Sequence, residues 1–136
     1  MNIGHDLSRL EGFDNPLQKM RLHWEHCFLC GAELDPTKET EEHVVPKWLQ
    51  RKFNLWNERL LLSNRTLIPY RQLKVPWCES CNGRGLSAVE NKVRSAVESG
   101  YSELSRLDEL SIFQWVAKIF YGLLFKDLSK HYPHWR

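Results

Sequence analysis

Apolar residues change rhythm several times along this chain, and each change predicts a different local structure. Residues 1 to about 24 hold Leu7, Leu10, Phe13 and Leu17 at helix-like intervals, but Gly12 and the Asn15-Pro16 pair interrupt them. The stretch 1–23 therefore predicts a short helical or irregular extension. The block 24–34 predicts a tight turn, with Gly31 supplying backbone freedom. Val44-Val45 is a short β-prone run closed by Pro46, followed by a brief helical turn over 47–53. A second extended segment is predicted over 66–75. From 80 to 98 the apolar positions Leu86, Val89, Val93 and Val97 recur at spacings of 3 and 4, the stripe of a helix packed on one side. Gly100 is suited to stop that helix. A further helix is predicted over 102–128, where IFQWVAKIFYGLLFKDL is apolar nearly all round. Such a helix must be covered, by the domain's own core, a second copy or a partner.

At 136 residues the chain is about one ordinary domain, large enough for a single core. No apolar run reaches the roughly 18–20 residues of a membrane span, and the N-terminus lacks a secretory pattern. The expectation is an intracellular, cytoplasmic protein with no membrane role. In that compartment four cysteines are not expected to form structural disulfides. They fall in two pairs, Cys27-x-x-Cys30 and Cys78-x-x-Cys81, which points to metal. Net charge is only +2, but it is unevenly spread. Residues 1–42 carry 4 Lys/Arg against 9 Asp/Glu; residues 43–94 carry 10 against 3; residues 95–136 carry 5 against 5. The basic middle is what a surface facing phosphates would need, although solvated lysines alone would look the same.

Two C-x-x-C turns each present a pair of thiolates, and together they make a tetrahedral zinc site. The 47 residues between Cys30 and Cys78 exceed the inner loop of a compact zinc ribbon, so zinc would clamp the base of a longer insert. Closing such a loop and binding metal both favour the folded chain. Four thiolates leave no open position for water, which makes this Zn2+ structural.

Within the insert stands Glu42-His43-Val44-Val45-Pro46, and directly after the second cysteine pair stands Asn82. Read in order, CFLC, EEHVVPKW and CESCN, the chain resembles the HNH endonuclease family. Members with two cysteine pairs carry C-x-x-C, then Asp/Glu-His-(Ile/Val)-(Ile/Val)-Pro, then C-x-x-C followed at once by Asn or His. The resemblance covers roughly residues 24–98. It implies an α+β, mainly helical fold, in which a zinc-stapled ββα-metal (treble-clef-like) core gains additional N- and C-terminal helices. By position it makes Glu42 a ligand of a catalytic Mg2+ or Mn2+, His43 the general base and Asn82 the second protein ligand. Asn64 is the candidate for the asparagine that buttresses the histidine, with Asn57 as the alternative. The implied segments are the extension 1–23, a nuclease core with the zinc site over 24–99, and an apolar C-terminal helix within 100–136.

The chemistry agrees with that assignment. An imidazole titrating near neutrality can deprotonate a water, and a hard divalent ion stabilises charge on phosphate oxygens. Magnesium keeps several waters, so one carboxylate and one amide oxygen suffice from the protein. Adjacent strand residues point to opposite faces, however, so Glu42 and His43 can serve one phosphate only if the strand bends. Glu41 competes with Glu42 as a ligand, and Glu90 either orients a ligand or faces solvent. Lys47, Arg51, Lys52, Arg65, Arg71, Lys74 and Arg84 are the candidate phosphate contacts, which give affinity without sequence choice. Trp48, Trp56 and Trp77 are assigned to the core. The expected activity is hydrolysis of phosphodiester bonds in nucleic acid, DNA in preference to RNA. The competing class is a catalytically silent treble-clef zinc module that binds nucleic acid or protein; Asn82 could then merely cap its helix. The 102–128 helix is the expected contact for a homo-oligomer or partner.

Overall fold

A computed structural model describes residues 25–38 and 41–131, so the predicted extension 1–23 lies outside the described residues. The described chain is α+β and about half helical, with two small two-stranded sheets. Its strands are β1 (Glu41–His43), β2 (Arg59–Leu61), β3 (Leu67–Pro69) and β4 (Lys74–Pro76). Prolines explain their brevity: β3 and β4 end on Pro69 and Pro76, which cannot donate to a ladder. β1 gives way to a bend at Val44-Val45 before Pro46. That proline opens α1 (Lys47–Lys52), where the sequence predicts a helical turn.

β1 pairs antiparallel with β4, Glu42 opposite Val75 and His43 opposite Lys74, and the Val44 N–H extends the pairing to the Leu73 carbonyl at 2.9 Å. β2 and β3 form a separate hairpin, with Leu60 opposite Ile68. The single extended segment predicted over 66–75 is therefore two strands split by a 3-10 turn at Tyr70–Gln72. β2 was not predicted at all: three residues hold too little alternation to register.

The second cysteine pair opens a continuous helical run in three parts. These are α2 (Glu79–Cys81), a π-helical turn (Asn82–Leu86) and α3 (Ser87–Ser99). Gly100, at φ 109°, stops it as predicted, in a conformation that side chains rarely adopt. The long helix expected over 102–128 is instead broken into α4 (Tyr101–Ser105) and α5 (Glu109–His131). The break has a local cause. Asp108 caps α5 by accepting the Ser111 N–H at 2.9 Å, and it also pairs with Lys92 of α3.

One core joins these elements. Cys27, Phe28, Val44, Leu73, Val75, Trp77 and Phe125 of α5 are buried together. Phe28 sits edge-on to Trp77 (5.2 Å between centroids) and to Phe125 (6.2 Å). Gly122 lets α5 approach closely: a Cβ there would meet the Val44 side chain at 3.0 Å. No helix among the described residues is long and apolar enough to cross a membrane.

Candidate functional site

The two cysteine turns come together because the backbone ties them. On the first, the Cys27 N–H bonds the Ala32 carbonyl (2.8 Å) and the Gly31 N–H bonds the Cys27 carbonyl (2.9 Å). Gly31 takes φ 73°, as the predicted turn requires. The Phe28 N–H then bonds the Pro76 carbonyl at 2.8 Å, which hangs this turn on β4 next to the second pair. There the Cys81 N–H donates to the Cys78 Sγ at 3.4 Å.

All four sulfurs lie within 4.8 Å of one another, and Cys30 Sγ is 3.7 Å from Cys78 Sγ. Sulfurs at tetrahedral corners around zinc, each about 2.3 Å from it, are about 3.8 Å apart. Donor set and spacing both fit a metal ion such as zinc. The thiols differ in acidity. Burial raises Cys27, but backbone hydrogen bonds from Cys30, Cys78 and Leu29 outweigh it and hold the thiol at about 7. Burial pushes Cys81 far upward, helped by the neighbouring Cys78 and Cys30. Four thiolates this close repel one another, and a central cation is what lets all of them ionise.

Beside this cluster β1 and the helical run form the walls of a cleft of about 670 Å³. Glu42, His43 and Asn82 all line it. The Asn82 Nδ2 donates to the Glu42 Oε1 at 3.3 Å, bringing together residues 40 apart in sequence. A half-turn of the amide would present its oxygen to the same point. Two oxygens on adjacent corners around magnesium are about 3.0 Å apart, so the pair suits a hard divalent ion. Glu42 and His43 both line the cleft although they are successive residues of β1, which ends at His43 where the chain bends; His43 also lines the opposite side, with Glu41 and Lys74.

The His43 imidazole is held by hydrogen bonding to the Arg71 backbone, and its buried Nε2 has no hydrogen-bond partner among the described residues. Burial, with the positive charges of Lys47 and Lys74, keeps this imidazole below its ordinary value of 6.5. It is therefore neutral, and able to accept a proton, at neutral pH. The Trp56 ring lies over it, 5.8 Å between centroids and tilted by 32°.

Asn64 belongs elsewhere. Its backbone N–H bonds the Asp127 carboxylate at 2.8 Å, its Nδ2 bonds the Asp127 carbonyl at 3.1 Å, and its Oδ1 accepts the Thr66 N–H at 2.9 Å. It ties the β2–β3 turn to α5, and neither side-chain polar atom is bonded to His43. Asn57 stands nearer the site, accepting from Arg71 Nη1 at 3.0 Å. Arg71 thus contributes a carbonyl to His43 and a side chain to the loop carrying Trp56. Nothing in the spacing announced this, because the contact is made by a main-chain atom.

Among the candidate phosphate contacts, Lys47, Arg51 and Lys52 line the cleft and enter no ion pair with a described residue. Lys74 lies 3.9 Å from Glu41 on the far side of β1, and that pairing occupies the acid that competed with Glu42. Arg65 is in the β2–β3 turn at φ 65° and Arg71 is committed to Asn57, so neither lines the cleft. The side chain of Arg84 lies outside the described residues.

Glu90 is half-buried on the cleft wall, and its carboxylate is taken up by other helices. It accepts from Trp48 Nε1 (2.5 Å), Trp115 Nε1 (2.9 Å) and Lys118 Nζ (3.4 Å), knotting α1, α3 and α5 together. Trp77 is core as expected and Trp48 is half-buried, but Trp56 is 38% exposed. Sequence reasoning missed the polar wall of the cleft formed by Ser87, Asn91 and Arg94, one face of α3 at spacings of 4 and 3. That periodicity was legible. What brings the face into line with Asn82 is the π turn, whose extra residue shifts the helix phase.

Comparison with protein-family models, curated proteins and solved structures returns no match for this chain.

Proposed function

We propose that this chain is a metal-dependent HNH-type endonuclease that hydrolyses phosphodiester bonds in DNA, with the four cysteines holding a structural zinc. The observation that carries the reading is the 3.3 Å contact between Glu42 and Asn82 in one cleft with His43, beside the cysteine cluster. Zinc binding alone requires none of those three residues. The order β1, then β4, then a helix starting at the second cysteine pair is also what a ββα-metal core would need.

In this reading Glu42 and Asn82 hold a Mg2+ or Mn2+ ion. When bound, that ion supplies Lewis-acid stabilisation of charge on the phosphate oxygens. His43, neutral and with Nε2 unpartnered, takes the proton from the attacking water. The Arg71 backbone keeps the ring from turning away. Lys47, Arg51 and Lys52 hold the backbone phosphates on either side.

A plasmid-cleavage assay tests this directly. Nicking or linearisation should require magnesium or manganese, stop with EDTA, and fall by at least about a hundredfold in Glu42→Ala, the scale of losing charge stabilisation at the transition state. A zinc-loaded protein that leaves DNA intact with either metal would refute the proposal. The second reading, a catalytically silent treble-clef module, is favoured by one observation: Nε2 of His43 is buried, with the Trp56 ring packed against the imidazole. That reading predicts DNA or protein binding without cleavage.

A further inference from the structure

The sequence requires the apolar C-terminal helix to be covered all round, but among the described residues α5 is covered on one side only. Ser111, Gly122 and Phe125 face the core. On the opposite side Leu110, Phe113, Val116, Phe120 and Leu124 remain between 38% and 68% exposed. Phe113, Val116, Phe120 and Leu124 line, with Ala117, an apolar groove that continues onto Leu29 of the first cysteine turn; Leu110 lies beyond its end. Four of these residues and Ala117 follow a strict rhythm: Leu110, Phe113, Ala117, Phe120 and Leu124 are spaced 3, 4, 3, 4, the seam of a helix that packs against another helix.

We propose that this seam is the contact between two copies of the chain, with their α5 helices crossing antiparallel about a two-fold axis at Ala117. Three features favour a second copy over another occupant. The seam reads the same in both directions, Leu-Phe-Ala-Phe-Leu, so reversal sets Leu110 against Leu124 and Phe113 against Phe120. The small alanine then meets itself where the helices come closest. A symmetric pair requires this self-complementarity of one patch. The charge argument agrees. Lys118 is the only charged residue from 110 to 124, and it is turned inward to Glu90 at 3.4 Å. The face therefore carries a single charge, paired with Glu90 at the groove's edge, and little that would repel its own copy. The area is adequate. Six large side chains, Leu29 included, at on the order of 100 Å² each give about 600 Å² per copy and about 1,200 Å² for the pair, the lower edge of stable interfaces.

The groove meets the cleft at Leu86 and Lys118, so the pair carries two clefts, each flanked by the interface. The inference does not depend on the nuclease reading.

Sedimentation equilibrium of the zinc-loaded full chain should give twice the 16.2 kDa chain mass. The double variant Phe113→Glu with Phe120→Glu should halve that mass while keeping zinc content and helical circular dichroism unchanged. Ala117→Cys should form an oxidised cross-link between copies that the wild type, with its zinc-held cysteines, does not form. A wild-type chain sedimenting at its single-chain mass overturns the proposal and leaves the face to another occupant, residues 1–23 included. A dimer that survives the double charge substitution overturns it equally.

Discussion

Replacing His43 with alanine separates the catalytic reading from the merely structural one, because the two predict effects of different size on different measurements. A positioned general base contributes about 10²–10⁴ in rate. At 1.36 kcal/mol per decade this is about 3–5 kcal/mol of barrier. The structural loss is smaller. His43 is half-buried, packs against Trp56 at 5.8 Å and hydrogen-bonds the Arg71 backbone, and its Nε2 contributes no bond. Losing one hydrogen bond and part of one ring contact costs about 1–2 kcal/mol, against the 5–15 kcal/mol typical of a domain. None of the four sulfurs depends on this side chain. Single-turnover cleavage of supercoiled plasmid, with enzyme in excess and magnesium present, should therefore slow at least a hundredfold. Zinc should stay at one per chain, and the melting temperature should fall by a few degrees. Cleavage within threefold of wild type, by a folded and zinc-loaded variant, would show that His43 is not the base.

Three further outcomes follow from the geometry. Cys78→Ser removes one of four donors and the cap of α2; zinc content by a chromogenic chelator should drop and the domain should unfold, since structural zinc sites supply about 10–16 kcal/mol. A stable, active, metal-free Cys78→Ser protein would dispose of the staple. Asn64→Ala should cost about 1–3 kcal/mol in urea denaturation by orphaning the Thr66 N–H and the Asp127 carbonyl, yet leave cleavage unchanged. A folded variant that loses activity more than tenfold would return Asn64 to the site. Asp108 is held well below its ordinary 3.8 by the Lys92 ammonium first and by Ser111 next. Its stabilisation is fully present above that ordinary value and disappears as pH falls below it. Asp108→Asn should therefore flatten the acid limb of a melting-temperature profile; an unchanged slope below about pH 4 would contradict the assigned contacts.

Local pattern and remote packing divide the credit for this structure unevenly. The cysteine pairs were legible because a C-x-x-C turn fixes both sulfurs through backbone geometry within four residues. The helix over 80–98 was legible from its apolar stripe, although the buried positions are Val93 and Ala96 rather than the whole run of valines. The helix break before Glu109 was overlooked, since the long apolar run after it drew the reading and the Asp108 cap is a single local residue. Asn64 was placed by resemblance alone, and packing gave it another duty: Asp127 arrives there only once α5 has docked on the hairpin. Glu90 was ambiguous for the same reason, because its three donors come from two other helices.

Sequence by itself determined the inventory: four thiols in two turns, an acid beside a histidine ahead of a proline, an asparagine at the mouth of a helix, and a run of basic residues around them. Those choices are local, and short-range backbone geometry is enough to express them. Only the tertiary structure decided that Glu42 and Asn82 touch, that a carbonyl of Arg71 holds His43, and that the described residues leave one face of α5 open. Each of these is set by strand register, by the phase of a π turn or by the depth at which a helix docks, and such quantities exist only when segments tens of residues apart have packed.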